Sequence, residues 1–264
     1  MRSIPWDDLA FEIINNIDTR DTPTLLACSL THPSWTLPAQ RRLYHTVKIS
    51  NREDVCQWSE FDAKDRFTSY VRHVIYYGNE ENPLGPDELS EADGRPFLDF
   101  NGLDTLELRH VALEVFDLDL FKLAFGHLGG TLRGLLLRDA RLTLNKVLEL
   151  LNLFPRLHFL GLGCFTITPE YSQVPSELPG FHGTLNLFGP VDEDHVQFIE
   201  DLAETLPNFS AVRLRLNFSY PATRHLLGIP GFAKHVTTIV LGHQYGKLDS
   251  PPKGIETEAE VPYR

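Results

Sequence analysis

The chain has 264 residues, 42% hydrophobic and 23% charged, which is ordinary for a globular protein long enough for one or two domains. Its 36 acids against 24 bases give a net charge of −12, which speaks against a general nucleic-acid binder or an anionic-membrane binder, since both need Lys and Arg in excess. Cys28, Cys56 and Cys164 have no metal-ligand or disulfide-framework spacing, and Asp7 and Asp8 fall where a secretory signal needs an apolar run. No stretch approaches the apolar length of a membrane span, so a reducing compartment, cytoplasm or nucleus, is expected.

Residues 4–46 carry a helical pattern. Asp7 and Asp8 suit a helix start, and Leu9, Ile13, Ile14 and Ile17 follow at helical spacing. After the polar break Asp18-Thr19-Arg20-Asp21, Thr22 as N-cap and Pro23 as N1 open a second helix with Leu25, Leu26 and Leu30. Pro33 stops it, and a third helix over about 38–44 places Leu43 and Tyr44 inward. Three such helices cannot bury all their apolar side chains among themselves, so a partner is expected on the surplus face.

From Thr46-Val47-Lys48-Ile49 onward the pattern becomes a repeat, apolar-x-x-apolar-x-apolar with strand-like alternation at its end. It occurs at Val71-x-x-Val74-x-Tyr76, Leu103-x-x-Leu106-x-Leu108, Leu132-x-x-Leu135-x-Leu137 and Leu157-x-x-Leu160-x-Leu162. Degraded copies follow around Leu185, Val212 and Ile239, and the steps between marks are roughly 25–32 residues, close to leucine-rich repeats. Between the strands, Thr143 caps a helix through Leu144, Val147, Leu148 and Leu151. Asp192-Glu193-Asp194 opens another, with Val196, Ile199, Leu202 and Leu206 on one face. The predicted class is α/β: a three-helix module over 1–46, then an irregular leucine-rich-repeat-like solenoid with a curved parallel sheet over 47–245. A doubly wound domain is the competing architecture. An acidic loop is expected over 79–99, and a disordered tail over 246–264.

The first 46 residues resemble the F-box, in the form common in fungal proteins. The likeness rests on Ile4-Pro5, then Leu9 with Glu12-Ile13-Ile14 and Ile17, then Leu25-Leu26-Ala27-Cys28-Ser29-Leu30 and Trp35, followed by Arg41-Arg42-Leu43-Tyr44. Thr31, His32 and Pro33 depart from the usual residues before the tryptophan. The resemblance implies that Ile4, Pro5, Leu9, Ile13, Leu25 and Leu26 face a Skp1-like adaptor within a cullin complex, with Trp35 anchoring the module. It implies a substrate-recognition subunit of a cullin-based ubiquitin ligase. A stand-alone repeat scaffold or inhibitor is the alternative.

Catalytic signatures are missing from the sequence. The histidines show no HxxxH, HExxH or HxH spacing, Gly126-His127-Leu128-Gly129-Gly130-Thr131 lacks the Gly-Lys-Ser/Thr of a phosphate loop, and no Gly-x-Ser-x-Gly elbow occurs. No enzyme activity, cofactor or metal is expected. If the leucines of each repeat point inward, alternation turns their neighbours outward. Glu107, Leu136, Arg138, Phe159, Phe188, Arg213 and Arg215 then form the expected target-binding face, with Thr105, Arg109, Asn186 and Asn217 beside them. The target is expected to be a protein.

Overall fold

A computed structural model describes residues 6–19, 21–50, 54, 57–58, 67–78, 100, 102–113, 118–168, 180–190, 193–206, 208–217 and 220–242. The acidic stretch 79–99 and the tail 246–264 lie outside them, as do Ile4 and Pro5. The chain is α/β, with an N-terminal helical part followed by a large parallel sheet.

Three helices come first: α1 (Trp6–Asn15), α2 (Thr22–Thr31) and α3 (Pro33–Leu43). The cap of α2 is one residue earlier than the sequence suggests, because the Asp21 carboxylate accepts from the Thr24 N–H at 3.2 Å. Pro33 does more than end α2. His32 is the C-cap of α2 and the N-cap of α3, its Nδ1 accepting from the Ser34 N–H at 3.2 Å, so Pro33 starts α3 with a fixed φ suited to a first turn. The third helix therefore begins five residues ahead of its expected start at 38 and carries Pro38 inside it. Ile14, Leu25 and Ala39, one from each helix, are fully buried, with Ile17, Cys28, Trp35 and Leu43 packed around them. Thr36 donates to the Ser29 carbonyl at 2.9 Å and Arg42 to the Ile17 carbonyl at 2.7 Å, tying α3 to both partners.

The sheet is built from β1 (Thr46–Ile49), β2 (His73–Tyr77), β3 (Thr105–Arg109), β4 (Gly134–Arg138), β6 (Phe159–Gly163), β8 (Thr184–Pro190), β9 (Ala211–Asn217) and β10 (Val236–Gly242). Among the described residues these strands lie in chain order and every neighbouring pair is parallel. A doubly wound sheet reverses its strand order at a switch point; this one does not. Each predicted repeat mark falls in a strand, and six are in register: Val74, Leu106, Leu135, Leu160, Leu185 and Val212 pair in a row, all with no exposure. The seventh, Ile239, is a correction: a register shift between Val236 and Thr238 pairs Val236 with Val212 and Ile239 with Leu214, and Ile239 is exposed. Tyr76, Leu108, Leu137, Leu162, Leu187 and Leu214 form a second buried row two residues on.

Both rows pack against a helical layer of α4 (Leu118–Phe125), α5 (Leu144–Leu153) and α6 (Glu193–Thr205), through Phe121, Phe125, Leu148, Leu151, Ile199 and Leu202. Thr143 caps α5, accepting from the Lys146 N–H at 3.3 Å. After β9 come α7 (Tyr220–Gly228) and the short α8 (Pro230–Ala233).

A turn recurs after the strands. His110, Asp139 and Cys164, each the first residue past its strand, have φ of 52, 50 and 49°, and Gly189 has 120°. The N–H groups of Gly78, His110, Asp139 and Cys164 donate to the carbonyls of Arg109, Arg138, Gly163 and Phe188 at 2.7–3.1 Å. The ladder thus runs one residue beyond each strand before the backbone swings left-handed. Past the turn, β5 (Arg141–Leu142) pairs in parallel with β7 (Thr166–Ile167), and Ala112 bridges to Arg141.

Candidate functional site

Because successive strand side chains alternate between faces, the two leucine rows leave an outer face turned away from the helices. In one row across it the register pairs Lys48, Ile75, Glu107, Leu136, Gly161, Asn186 and Arg213. A second pairs Tyr77, Arg109, Arg138, Gly163, Phe188 and Arg215.

Glu107 is the organising group of this face. Its side chain is 3% exposed, and its Oε1 accepts from Arg109 Nε at 2.6 Å and lies 3.0 Å from Arg138 Nε. On the other side, His73 Nε2 is 3.3 Å from Oε2. Burial alone would push this carboxyl up, but His73, Arg109 and Arg138 outweigh it and hold it at about 2, so it is an anion at neutral pH. Both arginines address it through Nε. Arg109 hydrogen-bonds it and Arg138 pairs with it as an ion; among the described residues the terminal amino groups of neither guanidinium make a hydrogen bond, which leaves them for something else. Each guanidinium also lies over a ring, Arg109 over Tyr77 at 5.2 Å and Arg138 over Phe188 at 4.7 Å.

The aromatic half of the face rests on glycines. A Cβ on Gly163 would overlap the Phe188 ring, and one on Gly161 would meet Phe159, Phe188 and Leu136 at 3.2–3.3 Å. Two residues without side chains thus let two phenylalanine rings lie across the sheet. Asn186, between these rings and Arg213 in the register, has a shielded Oδ1 with no hydrogen-bond partner among the described residues.

The expected target-binding residues are therefore brought together with changed roles. Glu107 and Leu136 were expected to be surface groups; they are only 2% and 5% exposed. Leu136 is covered because the rings at 159 and 188 close over it across Gly161, and Glu107 because three basic side chains surround it. Arg138, Phe159 and Phe188 are half-buried, and Arg213 is exposed. Arg215 holds the register position beside Phe188, its side chain outside what is described. His73, Gly161 and Gly163 were missed. Applying the same alternation to the strand before Glu107 would have found His73, and two glycines at alternate positions of one strand would have marked a shelf.

The helical module places its expected adaptor residues unevenly. Leu26 is 49% exposed and Ile13 40%, while Leu9 is half-buried. Leu25 is a correction: it is fully buried against Ile14 and Ala39, because helical spacing turns it a quarter-circle or more from Leu26 and into the module's core. Of the seven large hydrophobic side chains exposed among the described residues, five belong to this module: Phe11, Ile13, Leu26, Leu30 and Leu37, with Leu30 at 87%.

Among the described residues no helix is long and apolar enough to cross a membrane, and no group of His, Cys, Asp or Glu is arranged to hold a metal ion. Set against family models and against curated proteins, the sequence finds no match.

Proposed function

We propose that the chain is a substrate-recognition subunit of a cullin-based ubiquitin ligase, with an F-box-like module that docks on a Skp1-like adaptor and a leucine-rich-repeat-like solenoid that holds a protein target. The observation that carries this reading is the exposed apolar surface of α1–α3. Leu26 and Leu30 stand four residues apart on one helix face, and Phe11, Ile13 and Leu37 add to the exposed apolar area, although the adjoining sheet is available to cover them. Burying such side chains at about 1.5–3 kcal/mol each stands against an association cost of about 4–15 kcal/mol, so a partner that covers several of them binds stably. Sequential parallel strands over a helical layer support the solenoid, in which each coil rests on its neighbours. In this role the chain positions its target and does no chemistry itself.

Size-exclusion chromatography of the purified chain mixed with a Skp1-like adaptor tests the reading. Co-elution is expected, and it should be lost in Leu26→Asp and Leu30→Asp, which change exposed side chains and leave the module's core intact. Failure of the native chain to co-elute, or co-elution indifferent to both substitutions, sinks the adaptor role and leaves a stand-alone repeat scaffold.

A further inference from the structure

We infer that the outer face of the sheet recognises an extended, acidic protein segment about six residues long, with an apolar or aromatic residue near its middle. This rests on the receptor reading and names what the receptor takes. The chain as a whole carries three acids for every two bases, 36 to 24. The outer face inverts that ratio. Among its strand positions Lys48, Arg109, Arg138, Arg213 and Arg215 are basic and Glu107 alone is acidic. Segregation of this kind in a protein of net charge −12 marks a surface complementary to negative charge.

The single carboxylate does not cancel the face; it arranges it. Glu107 lies against the Nε groups of Arg109 and Arg138, and among the described residues their terminal amino groups make no hydrogen bond, which leaves donors of the kind that grip a carboxylate in pairs. Lys48 and Arg213 are exposed and have no ion-pair partner among the described residues. Between the basic groups of β3 and β4 and those of β9 lie the rings of Phe159 and Phe188 on their glycine shelf. From β3 to β9 is four strand spacings, about 19 Å, which an extended peptide crosses in about six residues. Acidic residues at each end of such a segment reach arginines, and the middle lies on the phenylalanines. A nucleic acid strand offers the same sign of charge but runs on past the face, over the acidic remainder of the molecule, where it is repelled.

Fluorescence anisotropy on the full chain tests this with three labelled probes. They are a nine-residue peptide of Glu and Asp around a central Phe, the same peptide with Lys for every acid, and a nine-nucleotide single strand. The acidic peptide is expected to bind and the other two to bind at least ten-fold more weakly, with affinity falling as salt rises. Arg213→Glu alone should weaken the acidic peptide several-fold, and Arg138→Glu with Arg213→Glu at least ten-fold. Arg213 is exposed and has no ion-pair partner among the described residues, so its variant is expected to stay folded even if the Arg138 change does not. Absence of binding by the acidic peptide, equal binding by Arg213→Glu, or tighter binding of the oligonucleotide overturns the proposal. Adaptor co-elution is read separately on the same variants: peptide binding without adaptor leaves this face intact and ends the ligase reading, and the reverse ends only this one.

Discussion

Arg109 Nε and Arg138 Nε converge on one oxygen, Oε1 of Glu107, at 2.6 and 3.0 Å, the first from the same strand and the second from the next. The pair, with His73, holds the carboxyl at about 2 against an ordinary 4.5. A carboxyl whose value falls on folding contributes stability above its unfolded value and loses it as pH drops through the folded one. The contribution, about 3 kcal/mol, is therefore complete above pH 4.5 and lost between about pH 4.5 and 2. Denaturant titrations should show Glu107→Gln less stable than the native chain at pH 7, with the gap closing as pH approaches 2. A gap independent of pH would mean that packing, not charge, is what the substitution removes.

His45 acts in the same direction at milder acidity. Burial first, then His73, Arg42 and Arg72, lower its value below the ordinary 6.5, so the folded state resists the proton that the unfolded state accepts. Stability due to this group is present above pH 6.5 and declines below it. Thermal melts of His45→Asn should lose part of the acid sensitivity that sets in below pH 6.5 while the Glu107 step remains.

The glycine shelf predicts a steep response to a single methyl group. Gly163→Ala forces the Phe188 ring to move, with an expected loss of about 1–3 kcal/mol. Phe188→Ala in the same chain should recover most of that loss, since the obstacle is the ring itself. Without recovery in the double variant, the strand and not the ring is at fault.

The recurring turn separates two kinds of residue. At Gly189, φ is 120° and a Cβ would stand 2.9 Å from the Cys164 nitrogen, so Gly189→Ala is expected to lower stability by about 1–3 kcal/mol. Asp139, at φ 50°, tolerates the left-handed region as a short polar residue, and Asp139→Gly should leave the melting temperature unchanged or raise it. Calorimetry on the two variants checks the contrast.

On the helical module, Leu25 and Leu26 are adjacent in sequence and opposite in consequence. Leu25→Ala opens a cavity in the small core shared with Ile14 and Ala39 and should cost about 2–5 kcal/mol. Leu26→Ala should change stability by less than about 0.5 kcal/mol, its effect falling on partner binding. Helical circular dichroism during denaturation separates the two.

Much of the sheet was legible in the sequence, because buried leucines two residues apart are forced onto one face and each copy had to repeat that pair: Leu106 and Leu108, Leu135 and Leu137, Leu160 and Leu162. The cap at Thr143 was equally plain, since a hydroxyl before an apolar periodic run has few other uses. Helix α3 was misjudged because Pro33 reads as a stop when viewed from α2, and only the shared cap at His32 makes it a start. The site was half visible. Alternation identified which residues leave the core, but not that Glu107 and Leu136 would then be covered, because that depends on neighbours across the sheet whose register the sequence does not carry. His73 and Gly161 act through strands away from their own, and no local pattern announces such a partner.

Strands laid in chain order also give the molecule a ruler. Adding or deleting one strand with its connection would alter no crossing and disturb only the two strands beside it. Each strand widens the outer face by one spacing, about 4.8 Å, or roughly one and a half residues of an extended chain. If the face binds an extended segment as proposed, the length it reads is set by counting strands, while the residues it prefers are set by side chains at fixed positions within each strand. Reach and taste can be altered independently in a protein built this way.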